Sequence, residues 1–344
     1  LRVRGGNTME VTLSAVGDVI LGGDYRVIQA QPYAPLSGEQ EFDRLIAEYG
    51  YDYPFKNFID MFKADDITVI NLEGVLTNGN TRKSGRPHYL RARAEYATSI
   101  LAASGVDVAC LANNHTLDYS YAGYKATKRA LDSAGIGHMG HFEGEDYVIN
   151  VKKNGLSLKV GFCAMQMPVS RETMQKEIQA LRKTCDIVVA SFHWANVQQW
   201  KANVTTYMRA NARAAIKFGA DLVLGHHRHL PSGIERYGDK LIVYDLANFI
   251  TGLKHVGCDE SMVFQITWRV DETGYIEEAG FKVIPVKTTA SSETFYYETT
   301  TGFGKNGMPI NEWQPVIATG SEARRIIDYI NDNSLKVTVP YYYD

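Results

Sequence analysis

The sequence has few cysteines and no excess of charge of either sign. Its 4 cysteines, at positions 110, 163, 185 and 258, show no CxxC spacing, which argues against a disulfide framework or a zinc ribbon. Three of them lie in apolar runs, so we predict buried free thiols. The 36 Lys and Arg residues against 39 Asp and Glu leave a net charge of -3, which provides no overall attraction to nucleic acid.

Long hydrophobic runs are also missing. No stretch reaches the ~18 apolar residues of a membrane span, and residues 1–20 lack the order of a signal peptide. We therefore expect no membrane span and a cytoplasmic protein, or an extracytoplasmic one if a signal or anchor has been removed before residue 1. Residues 1–8 show no apolar periodicity and are predicted to form a disordered or processed arm. Nothing in the composition indicates an oligomeric state.

Short β-branched runs alternate with amphipathic segments over the first two thirds of the chain, which is typical of a mainly parallel sheet with helices on its faces. The predicted strands are 11–17, 67–71, 108–112, 158–164, 187–192 and 222–225. The predicted helices are 95–104, 121–134 and 207–218, each closed by a glycine, and 321–331.

The last third of the chain has a different pattern. KLIVYDL, SMVFQITWRV and FKVIPVKT predict antiparallel strands, with DETG as a hairpin turn. No Pro/Ser-rich linker interrupts the sequence, which favours a single α/β domain over residues 9–344. Its core is expected at 11–252, followed by C-terminal strands and a helix at 253–344.

Five of the predicted strands end in polar side chains that bind metals well. These side chains are Asp18, then Asn71 and Glu73, then Asn113, Asn114 and His115, then His193, and finally His226, His227 and His229. In open α/β sheets, ligands bind beyond the carboxyl ends of the strands. Oxygen and nitrogen donors of this kind suit Zn, Mn or Fe, so the pattern predicts one or two divalent transition-metal ions.

Each of these residues also has an ordinary structural explanation. A carboxylate after a strand is often a helix N-cap or turn former, and Asn-Asn is a common loop dipeptide. A lone histidine such as His193 is more often structural than a ligand. The pair His227 and His229 is a stronger signal, because alternate residues of an extended segment point the same way. A metal site is favoured because the ordinary explanation would have to hold at five strand ends.

A metal centre with these donors would attract an anionic substrate. Glu73 can bridge two cations, and the neutral Asn114 adds a ligand without adding charge, so the site stays cationic. Cations of this kind lower the pKa of bound water toward neutrality. His115 is a candidate general acid for the leaving group; the alternative is that it holds its loop through a backbone hydrogen bond.

The order of several motifs resembles a known family. GDVILGG, NLEGVLT, NNHTLDYSYAG, SFHW and GADLVLGHHRHLPSGIERYGDKLIVYDLANFI are similar to segments of the CapA family of poly-γ-glutamate capsule biosynthesis proteins, within the calcineurin-like metallophosphoesterase superfamily. The resemblance covers residues 11–252. It implies a four-layer α/β/β/α sandwich with two central mixed sheets and a metal site at their joined edge.

The resemblance also implies a role for individual residues. The implied metal ligands are Asp18, Glu73, Asn114, His193, His227 and His229, with Glu73 as the bridging carboxylate. The implied catalytic residues are His115 and Asp118, the latter orienting the former. The implied substrate-binding residues are Arg91, His226, Asp245 and Asn248, although Arg91 is equally well explained as a solvated surface arginine.

Three features depart from the family pattern. Ile20 stands where the common D-x-H motif has a histidine, so the first metal lacks one usual ligand. The run after His193 lacks the carboxylate of H-W-G-x-E, and YDLANF replaces a segment nearer to YSLGNF, which places Asp245 close to the site. The first departure concerns metal occupancy, and the other two concern specificity.

Two functions are therefore expected. The first is a metal-dependent hydrolase that acts on an anionic phosphoester or amide, small or polymeric and related to poly-γ-glutamate, through metal-activated water. The alternative is a non-catalytic component that binds poly-γ-glutamate or assists its assembly or export, with a vestigial metal site. A nucleotide-binding protein of the Rossmann type is poorly supported, because neither GxGxxG nor a P-loop occurs.

Overall fold

The computed structural model describes residues 6–24, 38–86, 88–201, 203–252, 259–289, 294–296, 307–309 and 312–342. Its strands are β1 Thr8–Val19, β2 Gly23–Asp24, β3 Ile67–Leu72, β4 Val75–Leu76, β5 Leu90–Ala92, β6 Val108–Cys110, β7 Gly137–Met139, β8 Tyr147–Lys153, β9 Leu156–Gln166, β10 Ile187–His193, β11 Leu222–His226, β12 Ile234–Tyr237, β13 Lys240–Val243, β14 Asn248–Ile250, β15 Glu260–Asp271, β16 Ile276–Lys287, β17 Thr294–Tyr296, β18 Gly307–Pro309 and β19 Val316–Ile317. Its α-helices are α1 Gly38–Tyr49, α2 Ile59–Ala64, α3 Ser120–Ser133, α4 Arg171–Arg182, α5 Thr206–Phe218 and α6 Gly320–Asp332.

The first large sheet contains strands from both ends of the chain. Its order is β19-β16-β15-β1-β3-β6-β7, and β14 also pairs with β1. The pairs β1·β3, β3·β6 and β6·β7 are parallel, whereas β1·β15, β15·β16 and β16·β19 are antiparallel. The carboxyl ends of β1, β3, β6 and β7 therefore lie at one edge of this sheet.

The second large sheet has the order β12-β13-β11-β10-β9-β8. Its central strands β9, β10, β11 and β13 are parallel, and antiparallel partners flank them on both sides. KLIVYDL was expected to be antiparallel, but β13 also pairs in parallel with β11. After the hairpin turn that follows β12, the chain runs back as β13 and pairs with β11 on its other side. Each large sheet therefore contains both parallel and antiparallel pairs.

Alternating side chains hold the two sheets face to face. In β1, Val11, Leu13 and Ala15 join a buried cluster that also contains Val160 and Val189 of the second sheet. The period of two in a strand sends these residues to one face. Burial of a side chain of this size contributes about 1.5–3 kcal/mol, so the contact between the sheets is the main apolar core.

Helices cover the outer faces of the sheets. Residues of α1 and α3 pack in the cluster outside the first sheet, and residues of α4 and α5 pack outside the second. The expected order of helix, sheet, sheet and helix is therefore confirmed. The helix α6 differs, because Ile326, Ile327 and Ile330 join the cluster between the sheets.

Most predicted elements agree with the structure, with one change in helix type. The segment predicted as a helix over 95–104 is a π-helix, Ala97–Leu101, followed by a 3-10 turn, Ala102–Ser104. The DETG turn is confirmed: the Asp271 carboxylate accepts hydrogen bonds from the backbone N–H groups of Thr273 (2.9 Å) and Tyr275 (3.1 Å). Among the cysteines, positions 110, 163 and 185 are buried free thiols, and position 258 lies outside the described residues.

Two further expectations concern the N-terminal arm and membrane spans. Residues 1–5 of the arm lie outside the described residues, and Thr8 already belongs to β1. Within the described part of the chain, no helix has the length and apolar character needed to cross a membrane.

Candidate metal centre

Two glycines allow the sheets to join at the edge that carries the polar strand ends. The segment after β13 passes between them: the Asp18 N–H donates to the Ala247 carbonyl (2.9 Å), and the Leu246 N–H donates to the Gly225 carbonyl (3.0 Å). A Cβ at Gly17 would lie 1.8 Å from the Ala247 oxygen, and one at Gly225 would lie 2.0 Å from the Tyr244 oxygen. Only glycine permits this approach, so the join depends on Gly17, directly before Asp18, and on Gly225, directly before His226.

The first half of the candidate centre consists of Asp18, Glu73 and His229. One ligand atom from each of the three buried side chains lies within 4.8 Å of the other two. Asp18 Oδ1 accepts a hydrogen bond from Asn71 Nδ2 (2.7 Å), and its Oδ2 lies 3.2 Å from His229 Nδ1. Three distant segments, β1, the residue after β3 and the loop after β11, thus converge on one point.

The two carboxylates of this cluster oppose each other electrostatically. Burial, followed by the charge of Asp18, raises the pKa of Glu73 well above its ordinary value. Burial acts most strongly and would raise the pKa of Asp18, but the hydrogen bond and charge of His229, the charge of His226 and a hydrogen bond with Glu73 together hold this pKa well below the usual range. Glu73 Oε2 is buried and makes no hydrogen bond within the described residues. A divalent cation would satisfy that oxygen and neutralise both carboxylates.

The second half of the candidate centre consists of Asn114, His193 and His227. Asn114 Oδ1 lies 2.6 Å from His193 Nε2, which lies 3.0 Å from His227 Nδ1. Burial, followed by the charge of His227, lowers the pKa of His193 well below its ordinary value. Burial, followed by His229, lowers the pKa of His227 to about 4. Both rings are therefore neutral near pH 7, the form in which imidazole binds a metal.

The imidazole of His115 lies between Glu73 and the buried carboxylate of Asp118. Its Nδ1 is 2.7 Å from Asp118 Oδ2, and its Nε2 is 3.8 Å from Glu73 Oε1. The same Asp118 oxygen accepts the backbone N–H of Leu90 (2.8 Å). A hydrogen bond between Nδ1 and a carboxylate fixes the orientation of the ring and its tautomer, and it leaves Nε2 on the side of Glu73. The hydrogen bond of the ring goes to the Asp118 side chain rather than to the backbone, and the catalytic role of His115 stays a prediction.

The backbone around the site is strained. His227, His229 and Ala247 have φ values of 100°, 60° and 66°, in the left-handed region that residues other than glycine rarely adopt. Each such residue costs about 1–3 kcal/mol and persists only where the surroundings enforce it. The strain falls on two candidate ligands and on the residue that joins the sheets.

Two of the residues implied as substrate-binding are held by other side chains. Arg91 makes a bidentate ion pair with Glu39, with Nε at 3.0 Å from Oε1 and Nη2 at 2.9 Å from Oε2. Asn248 Oδ1 lies 2.8 Å from His229 Nδ1, so it orients that ring. Their assignment to substrate remains a prediction.

The other two are buried beside Asp18. Asp245 accepts the backbone N–H groups of Arg228 (2.9 Å) and Ala247 (2.8 Å), and burial, followed by the charge of Asp18, raises its pKa to about 7. Burial lowers the pKa of His226 to about 4, and its Nδ1 is 3.8 Å from Asp18 Oδ1. Their assignment to substrate also remains a prediction.

Three residues near the site were not found from the sequence. The Trp200 ring stacks on His229 with ring centroids 4.7 Å apart, and Gln199 Nε2 lies 3.2 Å from His229 Nε2. His141 follows β7 at the same sheet edge as His115. The signal for His141 was present in GIGHMGH, where a short strand after a helix-ending glycine is followed by a histidine. No local pattern marks Gln199 or Trp200.

The donor set fits a divalent transition metal. Asp18, Glu73 and His229 supply carboxylate and imidazole ligands of the type that Zn, Mn and Fe accept. Neutral histidines and an amide oxygen lie in the second half, and Glu73 lies where a shared carboxylate is needed. Such an arrangement can hold cations, attract an anion and present His115 for proton transfer.

Comparison with known proteins identifies the family. The sequence pattern described as bacterial capsule synthesis protein PGA_cap matches residues 12–253. The PGA biosynthesis protein CapA of Bacillus subtilis (strain 168) is 26% identical over 287 residues, which cover 78% of this chain and 70% of that protein. The capsule biosynthesis protein CapA of Bacillus anthracis is 22% identical over 328 residues, which cover 87% of this chain and 75% of that protein.

A likeness to a solved structure is weaker. A 5'-nucleotidase precursor from Thermus thermophilus matches with a TM-score of 0.40 and 13% identity, covering 80% of this chain and 54% of that chain. The resemblance inferred from the motifs is confirmed by the family match, and the chain belongs to the bacterial capsule synthesis protein PGA_cap family.

Proposed function

We propose that the protein is a metal-dependent hydrolase that acts on an anionic amide or phosphoester related to poly-γ-glutamate during capsule synthesis. The observation that carries the proposal is the convergence of Asp18, Glu73 and His229 within 4.8 Å. Two buried like charges next to each other are costly without a cation. The names of the relatives, which refer to PGA and capsule biosynthesis, support the substrate class.

In this proposal, the residues around Asp18, Glu73 and His229 have separate roles in binding the metal and in transferring a proton. A bound divalent cation supplies Lewis acidity and lowers the pKa of water, which makes a nucleophile available near neutral pH. His115 holds a proton at Nε2, on the side that faces Glu73, and donates it to the leaving group. Asp118 holds Nδ1 and stabilises the charged ring. Asn248 and Asn71 orient His229 and Asp18.

The experiment is metal-dependent turnover by the purified protein. After treatment with a chelator, the protein receives Mn, Zn or Fe and is tested on γ-glutamyl peptides and on phosphomonoesters. We expect activity that requires the added metal and is lost in His229→Ala. The matched control is His138→Ala, which removes a histidine of β7 that pairs with Asp132 outside the centre. The absence of metal binding, or equal activity in both variants, would refute the proposal.

A second candidate is a non-catalytic component that binds poly-γ-glutamate or assists its assembly or export. It is favoured by the buried Ile20, which adds no metal donor beside Asp18. The first half then has three donor side chains, and its affinity for metal would be low. Binding of poly-γ-glutamate that a chelator leaves unchanged, without turnover of any amide or ester, is the result this candidate predicts.

A further inference from the structure

A basic segment lies next to the candidate centre. Between Glu73 and Glu95 the chain has no acidic residue, and the segment carries the basic side chains Arg82, Lys83, Arg86, His88, Arg91 and Arg93. Three of its arginines pair with carboxylates: Arg91 with Glu39 (2.9 Å), Arg93 with Asp43 (2.7 Å) and Arg86 with Asp118 (3.0 Å). The exposed Lys83 makes no ion pair within the described residues.

The structure anchors this segment to the partner of His115. The Lys83 N–H donates to the Asp118 carbonyl (2.9 Å). Arg86 Nη1 lies 3.0 Å from Asp118 Oδ1 and also donates to the Asn114 carbonyl. Arg86 therefore shares the carboxylate that orients His115, while Lys83 adds a positive charge that no carboxylate of the described residues pairs with.

His141 completes the cluster from the neighbouring strand. It follows β7, which pairs in parallel with β6, and the residues after β6 lead to His115. His141 Nδ1 is buried and makes no hydrogen bond among the described residues. Burial lowers the pKa of its ring, Glu145 opposes this, and Lys83 and Arg86 lower it further.

The chemistry of a γ-linked glutamate chain calls for an anion site at this position. In such a chain, the carbon bonded to each amide nitrogen also carries a free α-carboxylate. Hydrolysis joins the water oxygen to the γ-carbonyl carbon and breaks the C–N bond, whose electron pair stays on nitrogen. His115 donates a proton to that nitrogen, and the proton lost by water replaces it. The leaving residue therefore presents a carboxylate beside His115, whereas a simple phosphomonoester need not.

We propose that Lys83, Arg86 and His141 form an anion subsite on the leaving-group side of His115, which binds the α-carboxylate of a γ-linked glutamate residue. The inference rests on the proposed function and narrows its substrate to γ-glutamyl amides. Lys83 supplies an exposed positive charge. Asp118 holds the guanidinium of Arg86 in place, and His141 offers its buried ring nitrogen Nδ1. Charge-assisted hydrogen bonds of this kind are roughly twice as strong as neutral ones.

The test measures binding and turnover separately. The probe is a γ-linked glutamate tetramer, and the comparison ligand is the same tetramer with its α-carboxylates converted to amides. Calorimetric titration of the metal-loaded protein should give a Kd for the carboxylate tetramer that rises about tenfold in Lys83→Ala. A larger rise is expected in Lys83→Glu. The control is Lys217→Ala, which removes an exposed lysine at the end of α5.

The outcomes distinguish the subsite from the hydrolase proposal. If Lys83→Ala loses affinity but the wild-type protein hydrolyses neither tetramer, the subsite stands and the proposed hydrolysis of γ-glutamyl amides fails. If the tetramer is hydrolysed but Lys83→Ala and Lys217→Ala share the wild-type Kd and KM, the subsite fails alone. Equal affinity for the carboxylate and amide tetramers, or no binding of the carboxylate tetramer by the wild-type protein, also overturns the subsite.

Discussion

Replacing Glu73 by glutamine removes one of two buried carboxylates, and we expect the metal-free protein to become more stable. The ligand atoms of Asp18 and Glu73 lie within 4.8 Å, and two unit charges at that distance repel by about 3 kcal/mol at an effective dielectric constant of about 20. The wild-type protein avoids part of this cost because the raised pKa of Glu73 favours its neutral, protonated form. The net gain is therefore about 1–2 kcal/mol above neutral pH.

The same substitution should remove the response to metal. Bound metal stabilises the folded state by about 3 kcal/mol when its concentration is about 100 times Kd. We expect the wild-type protein to gain this stability on addition of Mn or Zn, and Glu73→Gln to gain less than about 1 kcal/mol. Thermal unfolding in chelator and in added metal gives both numbers, since about 1 kcal/mol corresponds to roughly 2 °C in Tm for a chain of this size.

A carboxylate pair outside the centre provides the control. Asp146 lies beside Glu177, and burial followed by the charge of Glu177 raises the pKa of Asp146 to about 7. Glu177→Gln relieves a similar repulsion, but its Tm should respond to metal as the wild-type Tm does. The reasoning would be refuted if metal-free Glu73→Gln were less stable than wild type, or if metal stabilised it as much.

Three further outcomes are expected. His115→Asn should lower kcat about 10²–10⁴-fold while calorimetry shows unchanged metal affinity; a proportional loss of both would contradict its role in proton transfer. Asp245 has a pKa raised to about 7. In chelator, the stability that the protonated Asp245 contributes is present in full below about pH 4 and is lost as the pH rises through about 7. Urea unfolding should therefore show Asp245→Asn gaining up to about 1.4 kcal/mol per pH unit over wild type in that window, and parallel curves would refute this. Gly17→Ala places a Cβ 1.8 Å from the Ala247 oxygen and should destabilise by more than about 3 kcal/mol; an unchanged urea midpoint would contradict the account of the joined sheets.

The strand ends were predictable because topology converts sequence order into spatial proximity. Parallel neighbours place their carboxyl ends at one edge, so Asp18 and Glu73 had to lie close together once β1 and β3 were neighbours. His193 and His226, the last residues of β10 and β11, follow the same rule in the second sheet. The helix-ending glycines were equally predictable, since Gly105, Gly135 and Gly219 all have positive φ.

Other features of the site depend on packing that no local pattern encodes. Trp200 and Gln199 reach His229 through a loop, and His229 lies beside Asp18 whereas His227 lies beside His193. The position of Asp245 was expected from the family pattern, but its two backbone hydrogen bonds arise from the join between the sheets.

The most direct test of the metal centre is anomalous diffraction from crystals grown with Mn or Zn. The account predicts an anomalous peak at about 2.0–2.3 Å from ligand atoms of Asp18, Glu73 and His229, and its disappearance in His229→Ala. A second peak beside Asn114, His193 and His227 would show a dinuclear site. An anomalous peak at other residues, or none at metal concentrations that saturate the protein, would contradict the claim that these side chains bind a cation.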